Sequence, residues 1–341
     1  MNTLDRRKFL KSSALAGIGM AMSTQTSYGS PQKVPNGKRV GMIGLDTSHS
    51  VAFTKTFNAE DAGPEYGGFK VVAAYPKGSN DIESSVKRIP GYTEEVKKLG
   101  VVIVDSIKDL LRQCDVVLLE TNDGRLHLEQ ALQVFKAGKP VFIDKPVAAS
   151  LRDAVAIYEE AKKYKVPVFS SSSLRYAHSV KANAEGKAGK IYAVDVFSPA
   201  HLEPTHMDLS WYGIHGVEML FTLMGTGCKS VTRTHTPETD VVVGVWGDGR
   251  VGTFRGIRFN KIGYGGSVYG DKSIEPLDGA GGYNPLLVEV AKFFQTGQAP
   301  VSPEETIEIF AFMEAADESK RLGGSSVTLE SVMAKAKSSK K

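Results

Sequence analysis

Between residues 38 and 170, short apolar runs alternate with longer amphipathic stretches, and this alternation constrains the fold more than any other feature of the sequence. Strands are expected at 38–44, 69–75, 101–104, 115–120, 141–143 and 166–170. The first is followed by a turn at 45–49, where Thr47 or Ser48 can cap a helix. Further helices are expected at 93–99, 107–113, 126–137 and 151–164, with Pro90-Gly91-Tyr92 interrupting the chain before 93 and Gly138 closing the helix that ends at 137. Strands that alternate with helices predict a parallel, doubly wound sheet.

The fifth run carries the most chemistry. Val141-Phe142-Ile143 reads as a buried strand that stops abruptly at Asp144-Lys145-Pro146. Ligands of open α/β sheets sit just beyond the carboxyl ends of the strands, so Lys145 is expected to face a crevice. Pro146 fixes its own backbone and biases Lys145 away from helix. In isolation, the same three residues also suit a plain surface turn.

After about residue 175 the pattern changes. Residues 190–198, 229–236, 240–246, 250–258 and 264–269 are β-rich, with turn signals such as Gly247-Asp248-Gly249, and predict a largely antiparallel open sheet. Flanking helices are expected at 212–224, 285–295 and 304–321. The 341 residues suggest about two domains, placed at 30–173 and 174–325, with a frayed basic tail at 326–341. One face of the second sheet needs a cover, so self-association into a homo-oligomer through it is expected.

Residues 1–29 read as an export signal rather than part of the fold. Asp5-Arg6-Arg7-Lys8-Phe9-Leu10-Lys11 resembles the twin-arginine motif, and residues 13–22 form a short Ala- and Gly-rich stretch, too short to span a bilayer. The expected destination is the periplasm, reached through the twin-arginine machinery. The formal charge of +4 sits in the two basic ends, which leaves the body between them net acidic. A nucleic-acid surface is therefore not indicated. Cys114 and Cys228 lie far apart in sequence and imply no disulfide framework.

A second polar cluster lies ahead of the 212–224 helix. His201, Glu203, His206 and Asp208 place two imidazoles and two carboxylates within eight residues. Imidazole and carboxylate together suit a divalent transition metal, although the spacing matches no standard zinc pattern. Binding of substrate hydroxyls and a plain polar loop are the other readings.

The Asp-Lys-Pro at the end of the fifth strand, the stretch from His127 through 137–141, Leu174-Arg175-Tyr176, the entry 185–192 and Gly213-Ile214-His215 with Glu218 together resemble the Gfo/Idh/MocA oxidoreductase family. The resemblance covers roughly 38–320. It implies a Rossmann-like first domain, an α/β second domain, NADP or NAD as cofactor and a sugar or polyol as substrate. It also implies that Lys145 polarises the substrate oxygen while His215 acts as acid or base. Hydride transfer at a carbinol needs such a proton acceptor near neutral pH, and a cation beside the developing alkoxide lowers the barrier. The cofactor is expected on Gly44, Leu45, Asp46, Thr47, Ser48 and His49, with Lys77, Thr121 and Asp144. The substrate is expected on Arg175, Tyr176, His206, Asp208 and Trp211. For His127 a histidine satisfied within the fold is the better reading.

The chain departs from the dinucleotide pattern. Counting from Gly44, the second and third glycines of G-x-G-x-x-G are Asp46 and His49. A carboxylate aimed at a pyrophosphate from about 4 Å would cost on the order of 4 kcal/mol at an effective dielectric near 20. The second strand ends without a carboxylate for the adenosine ribose, while Lys77 and Ser79 could take a 2′-phosphate and favour NADP. A non-redox carbohydrate enzyme on the same fold (a lyase, hydrolase or epimerase) is the alternative expectation.

Overall fold

The structure, a computed structural model, describes residues 37–261 and 263–338. The expected export signal lies outside the described residues. Six strands form the first sheet: β1 (Arg39–Ile43), β2 (Lys70–Tyr75), β3 (Val102–Ile103), β4 (Val116–Leu119), β5 (Val141–Ile143) and β6 (Val168–Ser170). All pairings are parallel and the order is β3-β2-β1-β4-β5-β6. That is the order of a dinucleotide-binding fold, with its switch point between β1 and β4. The intervening helices are α1 (Ser48–Asn58), α2 (Glu83–Lys98), α3 (Ile107–Gln113), α4 (His127–Lys136) and α5 (Leu151–Tyr164).

Pro90 does not break α2, as its sequence suggested. The helix runs through it over 16 residues. A proline removes the bond to the carbonyl four residues earlier, which here belongs to Val86, 44% exposed, so water can take the vacant acceptor.

The second sheet has seven strands in the order β12-β11-β7-β10-β9-β8-β13. They are β7 (Ile191–Pro199), β8 (Cys228–His235), β9 (Thr239–Trp246), β10 (Val251–Ile257), β11 (Gly265–Gly270), β12 (Ile274–Asp278) and β13 (Val327–Thr328). Only the β7–β10 pairing is parallel. Pro276 hid β12 from the sequence reading, and the structure resolves the conflict by putting that strand at an edge, where a missing N–H is tolerated. Helices α6 (His178–Ala184), α7 (Ile214–Met224), α8 (Asn284–Thr296), α9 (Pro303–Arg321) and α10 (Leu329–Ser338) complete the chain.

The stretch expected to fray as a basic tail is ordered through Ser338. Val327 and Thr328 pair with β8, and Leu329, Val332, Met333 and Ala336 give α10 an apolar stripe that packs on the core. The helices also blur the expected split at 173. Phe293 and Phe294 of α8 pack with Phe53, Phe57, Phe142 and Phe169, so the C-terminal half covers one face of the first sheet.

Candidate active site

The turn after β1 is tight for a reason visible in its geometry. Gly44 has φ of +89°, and a Cβ there would meet the backbone nitrogen of Thr121 at 2.5 Å. Thr47 then caps α1, its Oγ1 accepting from His49 N at 3.5 Å. The N-terminus of α1 opens onto the crevice with Thr47 and Ser48 at its rim.

Asp46 does not aim at that opening. Its side chain is fully buried. Oδ2 accepts from Ser79 N at 3.1 Å and Oδ1 from Asn122 N at 3.0 Å. Burial pushes its carboxyl up from the ordinary range, and the two backbone N–H groups pull it back. Asp46 thereby staples the loop after β2 to the loop after β4. Gly78 makes room for it, since a Cβ there would lie 2.1 Å from Asp46 Oδ2. Ser79 Oγ donates to Asp123 Oδ2 at 2.9 Å, and Arg125 clasps both Asp123 and Asp81. The bulk and charge expected to repel a pyrophosphate are turned into this bridge. Ser79, expected to take a 2′-phosphate, is spent in it, while Lys77 is exposed and outside the cavity.

Over β4 and β5 the picture is different. Glu120 and Asp144 follow directly on those strands and both are fully buried. His49 reaches down from α1, its Nδ1 2.8 Å from Asp144 Oδ2, and its ring stacks on Phe53 and meets the edge of Tyr283. Lys145 Nζ is 3.5 Å from the same oxygen. Burial opposes ionisation of Asp144, but His49 and Lys145 hold its carboxyl well below the usual range. Burial, then repulsion from Asp144, pushes Glu120 well above its ordinary value. Both oxygens of Glu120, Asp144 Oδ1 and Thr121 Oγ1 have no hydrogen-bond partner.

Above this floor lies a cavity of about 340 Å³. His49, Lys145, Thr47, Ser48, Trp211, Tyr212 and His215 are among the residues that line it. His215 Nδ1 lies 2.7 Å from Ser172 Oγ. Burial, reinforced by the positive charge of Lys145, pushes its imidazole well below the ordinary value. Behind it, Glu218 accepts from Ser171 Oγ, Ser172 N and Arg175 Nε, and so fixes the segment that orients His215.

Several residues expected to meet substrate are engaged elsewhere. Arg175 pairs with Glu218 and Glu305, and Tyr176 packs in the aromatic core beneath α8. Asp208 pairs with Arg233 and Lys320. His206 accepts from Gly124 N at Nε2, 3.1 Å away, and lies against Trp211. Because an N–H must donate, Nε2 is unprotonated and Nδ1–H faces Thr205 Oγ1. His201 and Glu203 join no common point with them: His201 stands against Tyr212, and Glu203 bonds Thr205. His127 is buried between the carbonyls of Thr121 and Val147, one against each ring nitrogen, and the neutral imidazole donates to one of them. Gly44, Leu45, Thr121 and Asp144 support the cavity without lining it.

Sequence reasoning passed over Tyr264, Tyr283 and Asn122, which line the cavity, and Glu120. The signal for Glu120 was present as a lone acid at the end of an otherwise apolar strand. The tyrosines sit in glycine-rich segments whose placement depends on the far side of the fold.

Residues 38–172 match the family described as "Oxidoreductase family, NAD-binding Rossmann fold", GFO_IDH_MocA. The chain is similar to the 1,5-anhydro-D-fructose reductase of Ensifer adhaerens, 33% identical over 106 residues, covering 30% of this chain and 32% of that protein. It is also similar to the inositol 2-dehydrogenase of Gluconacetobacter diazotrophicus, 41% identical over 59 residues, 17% of this chain and 18% of that one. These alignments span about a third or less of either relative's length. In fold the chain is similar to the scyllo-inositol dehydrogenase of Lactobacillus casei, solved with bound NAD(H) and scyllo-inositol, with a TM-score of 0.67. That match covers 87% of this chain and 100% of that one at 14% identity, and it carries the fold alone.

Proposed function

With a Rossmann domain of the Gfo/Idh/MocA type as its premise, we propose that the protein is an NAD(P)-dependent oxidoreductase that moves hydride at a hydroxyl or carbonyl carbon of a sugar or polyol. The observation that carries this reading is the convergence of Lys145, His215 and the α1 N-terminus on one cavity. The residues present fit the phosphate part of the cofactor: the tight turn at Gly44 brings Thr47 and Ser48, at the N-terminus of α1, to the cavity, and a helix N-terminus favours an anion. When bound, the cofactor supplies or accepts the hydride.

The chain's own residues do the rest. The Lys145 ammonium stands where the substrate oxygen gains negative charge in one direction of the reaction. His215 stays uncharged at neutral pH. With Nδ1–H donated to Ser172 Oγ, its other nitrogen is free to take a proton; with Ser172 donating, that nitrogen carries a proton to give. Trp211, Tyr212, Tyr264 and Tyr283 offer rings to the apolar faces of a sugar. The twin-arginine leader supports export to the periplasm. Exposed Val245, Val251 and Ile274 on one face of the second sheet support pairing of copies through it.

The test is nicotinamide absorbance with a panel of sugars and polyols. Lys145→Ala and His215→Ala are expected to lose turnover about a hundredfold or more with the fold intact. Unchanged turnover in both removes this site. A second reading, a non-redox lyase, hydrolase or epimerase, is supported by Asp46 and His49 standing where the dinucleotide pattern carries its second and third glycines. Sugar turnover without nucleotide would select it.

A further inference from the structure

The strongest unexplained feature of the molecule is the row of unsatisfied oxygens beneath the cavity. Glu120 has no exposed surface and neither carboxylate oxygen has a partner; Asp144 Oδ1 and Thr121 Oγ1 beside it are also unpaired. Buried polar atoms in this state are rare and costly. Lys145 does not relieve them, since its Nζ lies 3.5 Å from Asp144 Oδ2, on the oxygen that His49 already meets. A proton on Glu120 supplies a single donor, so it serves at most one of these oxygens and leaves the others unpaired.

We propose that His49, Glu120 and Asp144 hold one divalent transition-metal ion under the cavity floor, next to Lys145. One ligand atom from each residue falls within 4.8 Å of the others; ligands that share an ion at about 2.0–2.2 Å stand at most ~4.4 Å apart, so the three side chains close in slightly on the ion. The donor set is one imidazole nitrogen and two carboxylates. It contains no thiolate, which fits zinc, manganese, cobalt or nickel better than a soft cuprous ion. The charges agree as well. With both carboxylates ionised, as metal ligands must be, they leave a negative excess against one lysine, and a divalent ion reverses it.

The three ligands come from three points that the fold brings together: the first turn of α1 and the ends of β4 and β5. His49 stands where a dinucleotide fold would carry its third glycine, so the same substitution that fills that space supplies the nitrogen ligand. His49 and Lys145 line the cavity while Glu120 and Asp144 do not. The ion therefore enters from the cavity and keeps open positions facing it, the arrangement of an ion that can take an oxygen ligand from a bound molecule.

The site stands apart from the nucleotide reading and is tested without nucleotide or sugar. The folded wild-type chain is stripped with a chelator and titrated calorimetrically with Zn²⁺, Mn²⁺ or Co²⁺ alone. One ion per chain is expected, with a rise in melting temperature. X-ray absorption of the zinc-loaded protein should show one imidazole nitrogen with oxygen ligands and no sulfur. Glu120→Gln and Asp144→Asn should each weaken binding tenfold or more, whereas His201→Ala should leave it unchanged. Absence of stoichiometric binding by the folded wild type overturns the proposal whatever the variants do. So does binding that survives both substitutions unchanged, or a coordination shell without imidazole.

Discussion

The two sides of the crevice above β1 both set buried carboxylates beside basic side chains and differ in whether those carboxylates are spent. On the β2 side, Asp46, Ser79, Asp123 and Arg125 form a closed bridge in which each has partners. On the β4–β5 side, Glu120 and Asp144 leave three oxygens unpaired beside Lys145 and His49. A saturated buried network fixes geometry; an unsaturated one has capacity left for a ligand. The comparison separates structure from chemistry in a crevice where residue identity alone does not.

The largest effect expected is on the reactive side. Loss of Lys145 or His215 costs about a hundredfold or more in turnover, and the double variant should cost little beyond the worse single one, because both serve one transition state. Additive losses measured by steady-state kinetics would place the two residues in separate roles.

Stability should move in opposite directions on the two sides. Asp46→Ala strands the N–H groups of Ser79 and Asn122, and denaturant titration should register a loss of about 2–4 kcal/mol. In chelator-treated protein, Glu120→Met removes a carboxyl that has no partner, so it should be neutral or stabilising by roughly 1–2 kcal/mol. Equal destabilisation by both would erase the distinction between spent and unspent.

A smaller, pH-dependent effect belongs to His206, which ties the loop after β4 to the segment before α7. An unfolded imidazole titrates near 6.5, while burial lowers that of His206 to about 4. As pH falls, the unfolded chain takes up the proton first. The histidine costs nothing above 6.5, costs about 2 kcal/mol near pH ~5, and levels off below 4 at about 3 kcal/mol. Melting curves across this range should show the loss, and His206→Gln should flatten that part of the profile.

How much of this was legible in the sequence follows the range of the interactions. The strands and helices around β1, α3, β5 and α5 were plain because their periodicities are local, and Asp144-Lys145-Pro146 marked the crevice because it ends an apolar strand. That a parallel sheet comes first and a largely antiparallel one second followed from the same patterns, whereas the order of the strands within each sheet did not. What was hidden is which polar side chains are already engaged. Asp46 finds its partners 33 and 76 residues away. Arg175 finds Glu305 across 130 residues, and Asp208 finds Lys320 across 112. No local pattern reports such pairings, so Arg175 and Asp208 looked available when they are not, and Glu120 looked like one more strand-end acid.

The most direct test of the divided crevice is calorimetric titration of NADH and NADPH into the wild type and Asp46→Gly at one salt concentration. With the Asp46 carboxylate held by Ser79 and Asn122, the wild type should bind nucleotide saturably, and the glycine variant should bind no more than a few-fold tighter. The Coulomb estimate for a carboxylate facing the phosphates corresponds to roughly a thousandfold. A wild type that binds neither nucleotide, with Asp46→Gly restoring tight binding, would put the carboxylate in the anion site and contradict the account.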